Sequence, residues 1–114
     1  MSTFATQQPR SGVTVISFGE QAIGGPEAVE LAGLVREAAA SGTSVTIFDL
    51  ARVTIMNSSG LGMLVSSLTT VKKYNGTLRL ANIPEKVRSL LEMTHLSAVF
   101  ETYASVDEAV GTGA

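Results

Sequence analysis

Several kinds of residue and segment are missing from this sequence, and each absence excludes a class of chemistry. There is no cysteine, so disulfide bonds and thiolate chemistry are excluded, which fits a reducing compartment. The net charge is −2 without a run of basic residues, which argues against nucleic acid as the main partner. No stretch of about 18 apolar residues could cross a bilayer, and the start of the chain lacks the pattern of a signal peptide. We therefore expect a cytoplasmic protein without membrane insertion.

The sequence does contain enough apolar material for one folded domain. Its 114 residues are 45% apolar and 16% charged, a balance typical of globular rather than disordered chains. A chain of this length buries roughly two-thirds of its unfolded surface, which is enough for a core without disulfides. We therefore expect residues 1–114 to form a single domain.

Strand and helix patterns alternate along the chain. Runs rich in β-branched residues predict strands over residues 3–8, 13–18, 45–50, 77–81 and 99–103. Helical spacing of apolar residues predicts helices over residues 26–40, 59–74 and 106–110, and a further helix that begins at Pro84. This alternation requires crossovers, so we predict an α/β fold with a mixed, mostly parallel sheet of about five strands and about four helices. The first two strands, joined by a turn over residues 9–12, should form a hairpin at one edge.

The two long predicted helices each carry an apolar stripe that should face the core. In the first helix the stripe comprises Val29, Leu31, Ala32, Leu34, Val35, Ala38 and Ala39. In the second helix it comprises Leu61, Leu64, Val65, Leu68 and Val71.

The sequence Asn57-Ser58-Ser59-Gly60-Leu61-Gly62 lies where a predicted strand and its connector give way to a helix. The first backbone N–H groups of a helix have no intrahelical partner, and the helix dipole favours negative charge there. A phosphate on Ser58 or Ser59 should therefore be compatible with the fold. Ligands and partners of such sheets tend to meet the loops that follow the strands, and the loop over residues 19–25 ends at the same edge.

A plain helix cap is the simplest interpretation of this motif, because Asn and Ser are preferred caps. Two glycines in the first turns of a helix each cost roughly 1 kcal/mol relative to alanine. That cost suggests that another backbone or a partner comes close to Gly60 and Gly62. The cap alone, and a cap that also binds a partner, both remain open at this point.

Enzymatic alternatives find little support in the sequence. A serine nucleophile elbow needs glycine two residues before the serine, whereas Met56 occupies that position relative to Ser58. The single histidine, His95, is best interpreted as a half-buried linker residue. There is no phosphate-binding GxxxxGK loop, and Gly60-Leu61-Gly62 lacks the third glycine of a dinucleotide loop. We expect no metal site, no cofactor and no enzyme activity.

The motif and the pattern around it resemble the STAS domain of the bacterial anti-sigma factor antagonist family. The resemblance begins with Asp49-Leu50, Val53 and Ile55 and continues through the hexapeptide 57–62. It extends over residues 72–78, 82–87, 90–96, 99–101 and 105–110. In all it covers about residues 13–110, which would be the core of the domain.

The resemblance implies a regulatory mechanism. In that family the unphosphorylated antagonist binds an anti-sigma factor that is also an ATP-dependent serine/threonine kinase, and thereby releases a sigma factor. The kinase phosphorylates the first serine of the motif, here Ser58, and the complex weakens. A phosphatase is a further partner that the mechanism can accommodate.

The resemblance also implies a contact surface. It would consist of Asn57, Ser58, Ser59, Gly60, Leu61 and Gly62, flanked by Glu20, Gln21, Ala22, Ile23 and Gly24. Within it, Ser59 would be a cap or a neighbour of the phosphoacceptor. Two features depart from the family pattern: Asn57 replaces the usual aspartate, and residues 21–26 replace a segment that usually begins with Leu-Asp.

Two other functions remain as alternatives. The first is a STAS adaptor subunit of a lipid transporter or of a stressosome-like signalling complex, without a phosphorylation switch. The second is a serine hydrolase, which an ester panel and Ser58→Ala would test.

Overall fold

The computed structural model describes residues 4–111, which form eleven elements in chain order. The strands are β1 Ala5–Arg10, β2 Val13–Ser17, β3 Gln21–Ala22, β4 Val45–Asp49, β5 Ile55–Met56, β6 Thr77–Ala81 and β7 Glu101–Tyr103. The helices are α1 Pro26–Ala40, α2 Ser58–Lys73, α3 Glu85–Met93 and α4 Val106–Val110. Residue 3, the predicted start of the first strand, lies outside the described residues.

The central sheet has the strand order β1-β2-β4-β6-β7, and only β1 runs antiparallel to its neighbour. Strand β4 lies in the middle, with Phe48 paired to Ile16 on one side and to Leu80 on the other. The predicted α/β class, the mostly parallel five-stranded sheet and the hairpin edge are confirmed.

Alternation along the strands divides the core between the two faces of the sheet. Phe48 belongs to the larger cluster, which includes Leu31 of α1, Leu64 of α2 and Leu91 of α3. Ile47, the residue before Phe48, points to the other face of the sheet and belongs to a smaller cluster that α4 covers. Three helices therefore lie on one face and the short α4 lies on the other.

The predicted turn over residues 9–12 is wrong in extent, because Pro9 and Arg10 belong to β1. The turn itself contains only Ser11 and Gly12, and Gly12 has a φ of 81°. Pro9 is tolerated because β1 is an edge strand, where the missing N–H removes no bond from a second neighbour. The β1–β2 register shifts between Gln7 and Arg10.

The predicted apolar stripes are partly wrong. Val29 is 76% exposed and Val65 is 37% exposed. In α1 the buried residues are Leu31, Val35 and Ala38, and Val29 precedes Leu31 by two positions. Two positions correspond to about 200° around a helix, which places Val29 on the opposite side.

The prediction that His95 is half-buried is also wrong. The histidine is exposed and has a φ of 61°. Its backbone N–H donates to the Glu92 carbonyl, so it serves as the turn after α3 rather than as a core residue. In the described part of the chain, no helix is long and apolar enough to cross a membrane.

Candidate functional site at the start of helix α2

Asn57 caps the start of α2. Its side-chain Oδ1 accepts a hydrogen bond of 2.9 Å from the Gly60 N–H, and its backbone has an extended conformation. Its carbonyl also accepts the first intrahelical bond, from Leu61 N–H at 2.9 Å. The predicted cap is therefore confirmed, and Asn57 rather than Ser59 provides it.

Ser58 and Ser59 are the first two residues of α2, and both are exposed. The N–H groups of such positions have no carbonyl one turn earlier to bond to. The first turn of α2 contains no acidic residue, so the positive end of its dipole is not neutralised locally. The site combines exposed hydroxyls with a local preference for negative charge.

A two-stranded parallel sheet, which the sequence analysis did not predict, holds the loop before α1 against this helix start. Strand β3 pairs with β5, with Gln21 opposite Ile55 and Ala22 opposite Met56. The Glu20 carbonyl reinforces the pair by accepting bonds from the N–H groups of Thr54 and Ile55. The loop and the serine motif are therefore neighbours, as the strand-end argument predicted.

The two glycines of the motif have different environments. A Cβ on Gly60 would overlap the backbone carbonyl of Ala22 and would lie 3.1 Å from Met56 Cγ. The predicted close approach of another backbone is confirmed there. A Cβ on Gly62 would meet nothing within 4 Å, so nothing in the described chain approaches Gly62.

A second contact joins the same loop to α2. Gly24 has a φ of 88°, and a Cβ on it would lie 2.8 Å from Cβ of Ser59. The Ile23 N–H donates to Glu27 Oε1 at 3.2 Å, which ties the loop to the first turn of α1. Loop, α1 and α2 thus converge on Ser59.

Asp49 fixes the other loops at this edge of the sheet. Its Oδ1 accepts bonds of 3.1 Å from Asn82 Nδ2 and from the Ala51 N–H. These bonds link the segments that follow β4 and β6, and thereby help to position the connector that leads to Asn57. No group of three or more potential metal ligands occurs among residues 4–111.

Comparison with known families identifies this arrangement. The family model of the STAS domain matches residues 9–109. The chain belongs to the STAS domain family. The resemblance inferred from the sequence is confirmed by this match and by the relatives described next.

A curated relative is the anti-sigma-B factor antagonist of Bacillus subtilis (strain 168), 34% identical over 58 residues. The aligned segment covers 51% of this chain and about half, 53%, of that protein.

Solved structures share the STAS fold over most of both chains. The anti-sigma factor antagonist SpoIIAA of Bacillus, in its unphosphorylated form, superposes with a TM-score of 0.78 at 19% identity, covering 94% of this chain and 92% of that one. An anti-sigma factor antagonist from Mycobacterium paratuberculosis gives a TM-score of 0.78 at 23% identity, with 95% and 90% covered. A sulfate transporter family protein from Wolinella succinogenes gives 0.78 at 16% identity, with 90% and 85% covered.

The contact surface predicted for this STAS domain divides into exposed and buried residues. The exposed members are Glu20, Gln21, Ile23, Asn57, Ser58, Ser59 and Gly62. The buried members are Ala22, Gly24, Gly60 and Leu61. In the free domain Gly60 packs on β3 and Leu61 faces the core, so contact between these two residues and a partner stays a prediction. A partner would contact the exposed residues, and the buried residues hold those in position.

One exposed residue at this site of the STAS domain was missed. Ile55 is 50% exposed on β5, and Ile23, at the end of β3, is 42% exposed. Apolar side chains of this size on the two-stranded sheet, whose strand β5 leads into α2, are candidates for partner contact. No sequence signal marked its exposure, because Val53 and Ile55 are both apolar and two positions apart, while only Val53 is buried.

Proposed function

We propose that this STAS domain is an anti-sigma factor antagonist. In this proposal its unphosphorylated form binds an anti-sigma factor that is a serine/threonine kinase, and so releases a sigma factor. Phosphorylation of Ser58 ends the interaction. The domain itself acts by binding and not by catalysis, and its similarity to the anti-sigma-B factor antagonist of Bacillus subtilis supports this role.

The position of Ser58 carries the proposal. The residue is exposed at the first position of a 16-residue helix, directly after the capping Asn57. A phosphate would add about −1.5 to −2 charges at the positive end of the helix dipole, so the fold would accommodate it. A partner packed against Ser58 would instead have to desolvate those charges, which weakens binding. The modification would therefore switch the interface without unfolding the domain.

Asn57 refines the proposal. Its Oδ1 accepts the capping bond that an aspartate would accept, so the local geometry needs no charge at this position. The kinase that modifies Ser58 must therefore recognise the motif without a carboxylate immediately before it. We infer a kinase adapted to this difference.

A second candidate function is a STAS adaptor in a transporter or a stressosome-like complex. The matching fold of the sulfate transporter family protein from Wolinella succinogenes supports it, since the same scaffold serves there. Purification of the tagged domain from its native cells distinguishes the two. The antagonist should carry an ATP-binding kinase with it, and the adaptor should carry transporter or stressosome components.

Phosphorylation in vitro tests the antagonist function directly. We would incubate the purified domain with the candidate anti-sigma factor kinase and ATP, measure the intact mass, and map the modified residue. One phosphate on Ser58, absent from Ser58→Ala, is expected. Lack of phosphate together with tight binding would indicate a constitutive antagonist or an adaptor, and Asn57→Asp would then distinguish them by restoring modification only in the antagonist.

A further inference from the structure

A cleft opens between α1 and α2 directly beside the proposed interface. Its volume is about 440 Å³, and Gly24 and Ser59 lie at one end of it. None of its lining residues carries a charge. A volume in this range is typical of sites that hold a ligand or an anchoring side chain.

The walls of the cleft combine an apolar floor with hydroxyl groups. Leu31 and Met63, both buried, contribute apolar surface. Ser66, Ser67 and Thr70 of α2 add hydroxyls along the same wall. The cleft is wide because α1 contributes small side chains, Ala28 and Ala32, to the facing wall.

Ser67 provides an independent indication of an occupant. The residue is only 4% exposed, and its hydroxyl has no hydrogen-bond partner elsewhere in residues 4–111. No fully buried side-chain oxygen in that part of the chain lacks a partner, so the Ser67 oxygen must keep some accessible surface. Since Ser67 lines the cleft, that surface faces the cleft. A buried hydroxyl of this kind favours an occupant that can form a hydrogen bond.

Gly62 supports the same conclusion from the rim. It also lines the cleft, and a side chain there would meet nothing in the described chain. Glycine inside a helix is less favourable than alanine, and no contact within the described chain explains why glycine occupies this position. Close approach of a second molecule would supply one.

We propose that the kinase partner inserts one uncharged side chain, apolar with a polar tip, into this cleft when it contacts Ser58. The inference rests on the proposed function and deepens it. The absence of charge in the lining excludes a charged anchor, because its desolvation would not be compensated. Gly24 and Ser59 belong to both the cleft and the predicted contact surface, so one partner can cover both without a gap.

Filling the cleft tests the proposal. Ala32→Leu would occupy it from an exposed helix position that tolerates leucine, and Ala40→Leu makes the same change at an exposed α1 position outside the cleft. Affinity for the purified anti-sigma factor kinase would be measured by calorimetry without ATP, with Ser58→Asp as the reference for a lost interface. We expect Ala32→Leu to weaken binding about tenfold or more, as loss of a central anchor does, and Ala40→Leu to bind like the wild type.

Ser67→Ala gives a second, independent readout. Because its hydroxyl has no hydrogen-bond partner among residues 4–111, the change should not lower the free energy of unfolding. It should weaken kinase binding by about two- to tenfold, the range for one hydrogen bond. A weakened complex with an undiminished fold would support the proposed contact, and unchanged affinity would contradict it.

The outcomes separate this inference from the proposed function. If the wild type binds and Ser58→Asp does not, while Ala32→Leu binds like the wild type, the anchor is overturned and the antagonist function stands. The cleft would then be open to a small uncharged ligand or to a second copy of the chain. If the wild type itself fails to bind the kinase, both the function and the anchor are overturned.

Discussion

The backbone carbonyl of Ala22 fills the space in which a side chain on Gly60 would lie. This contact presses β3 onto the first turn of α2, and the Asn57 N–H donates to the same carbonyl at 3.4 Å. The loop before α1 and the serine motif are therefore one rigid surface rather than two neighbouring segments. Any change that separates them should damage the fold and the interface together.

The two glycines of the motif should respond oppositely to alanine. Gly60→Ala should lower the free energy of unfolding by about 3 kcal/mol, because the obstructing atom belongs to the backbone and cannot rotate away. Gly62→Ala should raise it by about 0.5–1 kcal/mol, since a methyl group there would meet nothing within 4 Å among residues 4–111 and alanine favours the helix. Urea unfolding of both variants measures this, and equal effects would contradict the assigned contact.

The regular elements were predictable because their patterns are long. Strand β6 and helix α4 have the predicted bounds, and β4 differs by one residue. Strands β3 and β5 have two residues each, which is too short for an alternation of buried and exposed side chains to show. The Glu20 carbonyl that reinforces their pairing is a backbone group, which no residue pattern indicates.

The site was predictable in position but not in detail. The hexapeptide indicated a helix start, and the cost of glycine indicated a close approach, which Gly60 makes. Exposure was less predictable, because Leu61 and Ile55 are both apolar while only Leu61 is buried. Which of two apolar residues faces the core depends on the helix and sheet geometry around them and not on their chemistry.

Charge at Ser58 should abolish binding while it leaves the domain folded. Ser58→Asp places a carboxylate at the first position of α2, where the dipole should raise the free energy of unfolding by about 0.3–1 kcal/mol. The same variant should bind the kinase much more weakly than Ser58→Ala, which should retain wild-type affinity. Urea unfolding and calorimetry measure the two effects separately. Equal affinities of the two variants would contradict the proposed control of binding by phosphorylation of Ser58.

Salt provides the control for that stabilisation. The dipole effect at an exposed helix end is electrostatic, so the advantage of Ser58→Asp over Ser58→Ala should shrink as salt is raised toward about 1 M, where the Debye length is about 3 Å. An advantage that persisted at high salt would instead indicate a new hydrogen bond.

Asn57 should matter for stability through its cap alone. Asn57→Ala removes the acceptor of the Gly60 N–H and should cost about 1 kcal/mol. Asn57→Asp keeps the acceptor and adds a charge that the helix start favours, so it should be at least as stable as the wild type. Thermal unfolding of the three proteins ranks them. If Asn57→Ala were as stable as the wild type, the capping bond would contribute nothing to the stability of the domain.

On the opposite face of the sheet, Arg79 should contribute through α4 rather than through its ion pair. Its Nη1 donates to the Ala109 carbonyl at 2.7 Å, whereas its Nε pairs with the half-exposed Glu101 at 3.1 Å. Exposed ion pairs contribute little, so Glu101→Gln should change the free energy of unfolding by less than about 0.5 kcal/mol. Arg79→Met keeps the apolar stem but leaves the part-buried carbonyl of α4 without this donor, and should cost about 1.5 kcal/mol.

Hydrogen exchange tests whether the bond from Arg79 to the Ala109 carbonyl stabilises α4. Ala109 is the fully buried residue by which α4 packs on Ile47 and Ala81 in the smaller core cluster. Arg79→Met should therefore accelerate amide exchange in α4 relative to α2, because local opening of the short helix costs less once its carbonyl is released. Glu101→Gln should leave both rates unchanged. If both variants accelerated α4 equally, the ion pair and not the carbonyl bond would hold the helix to the sheet.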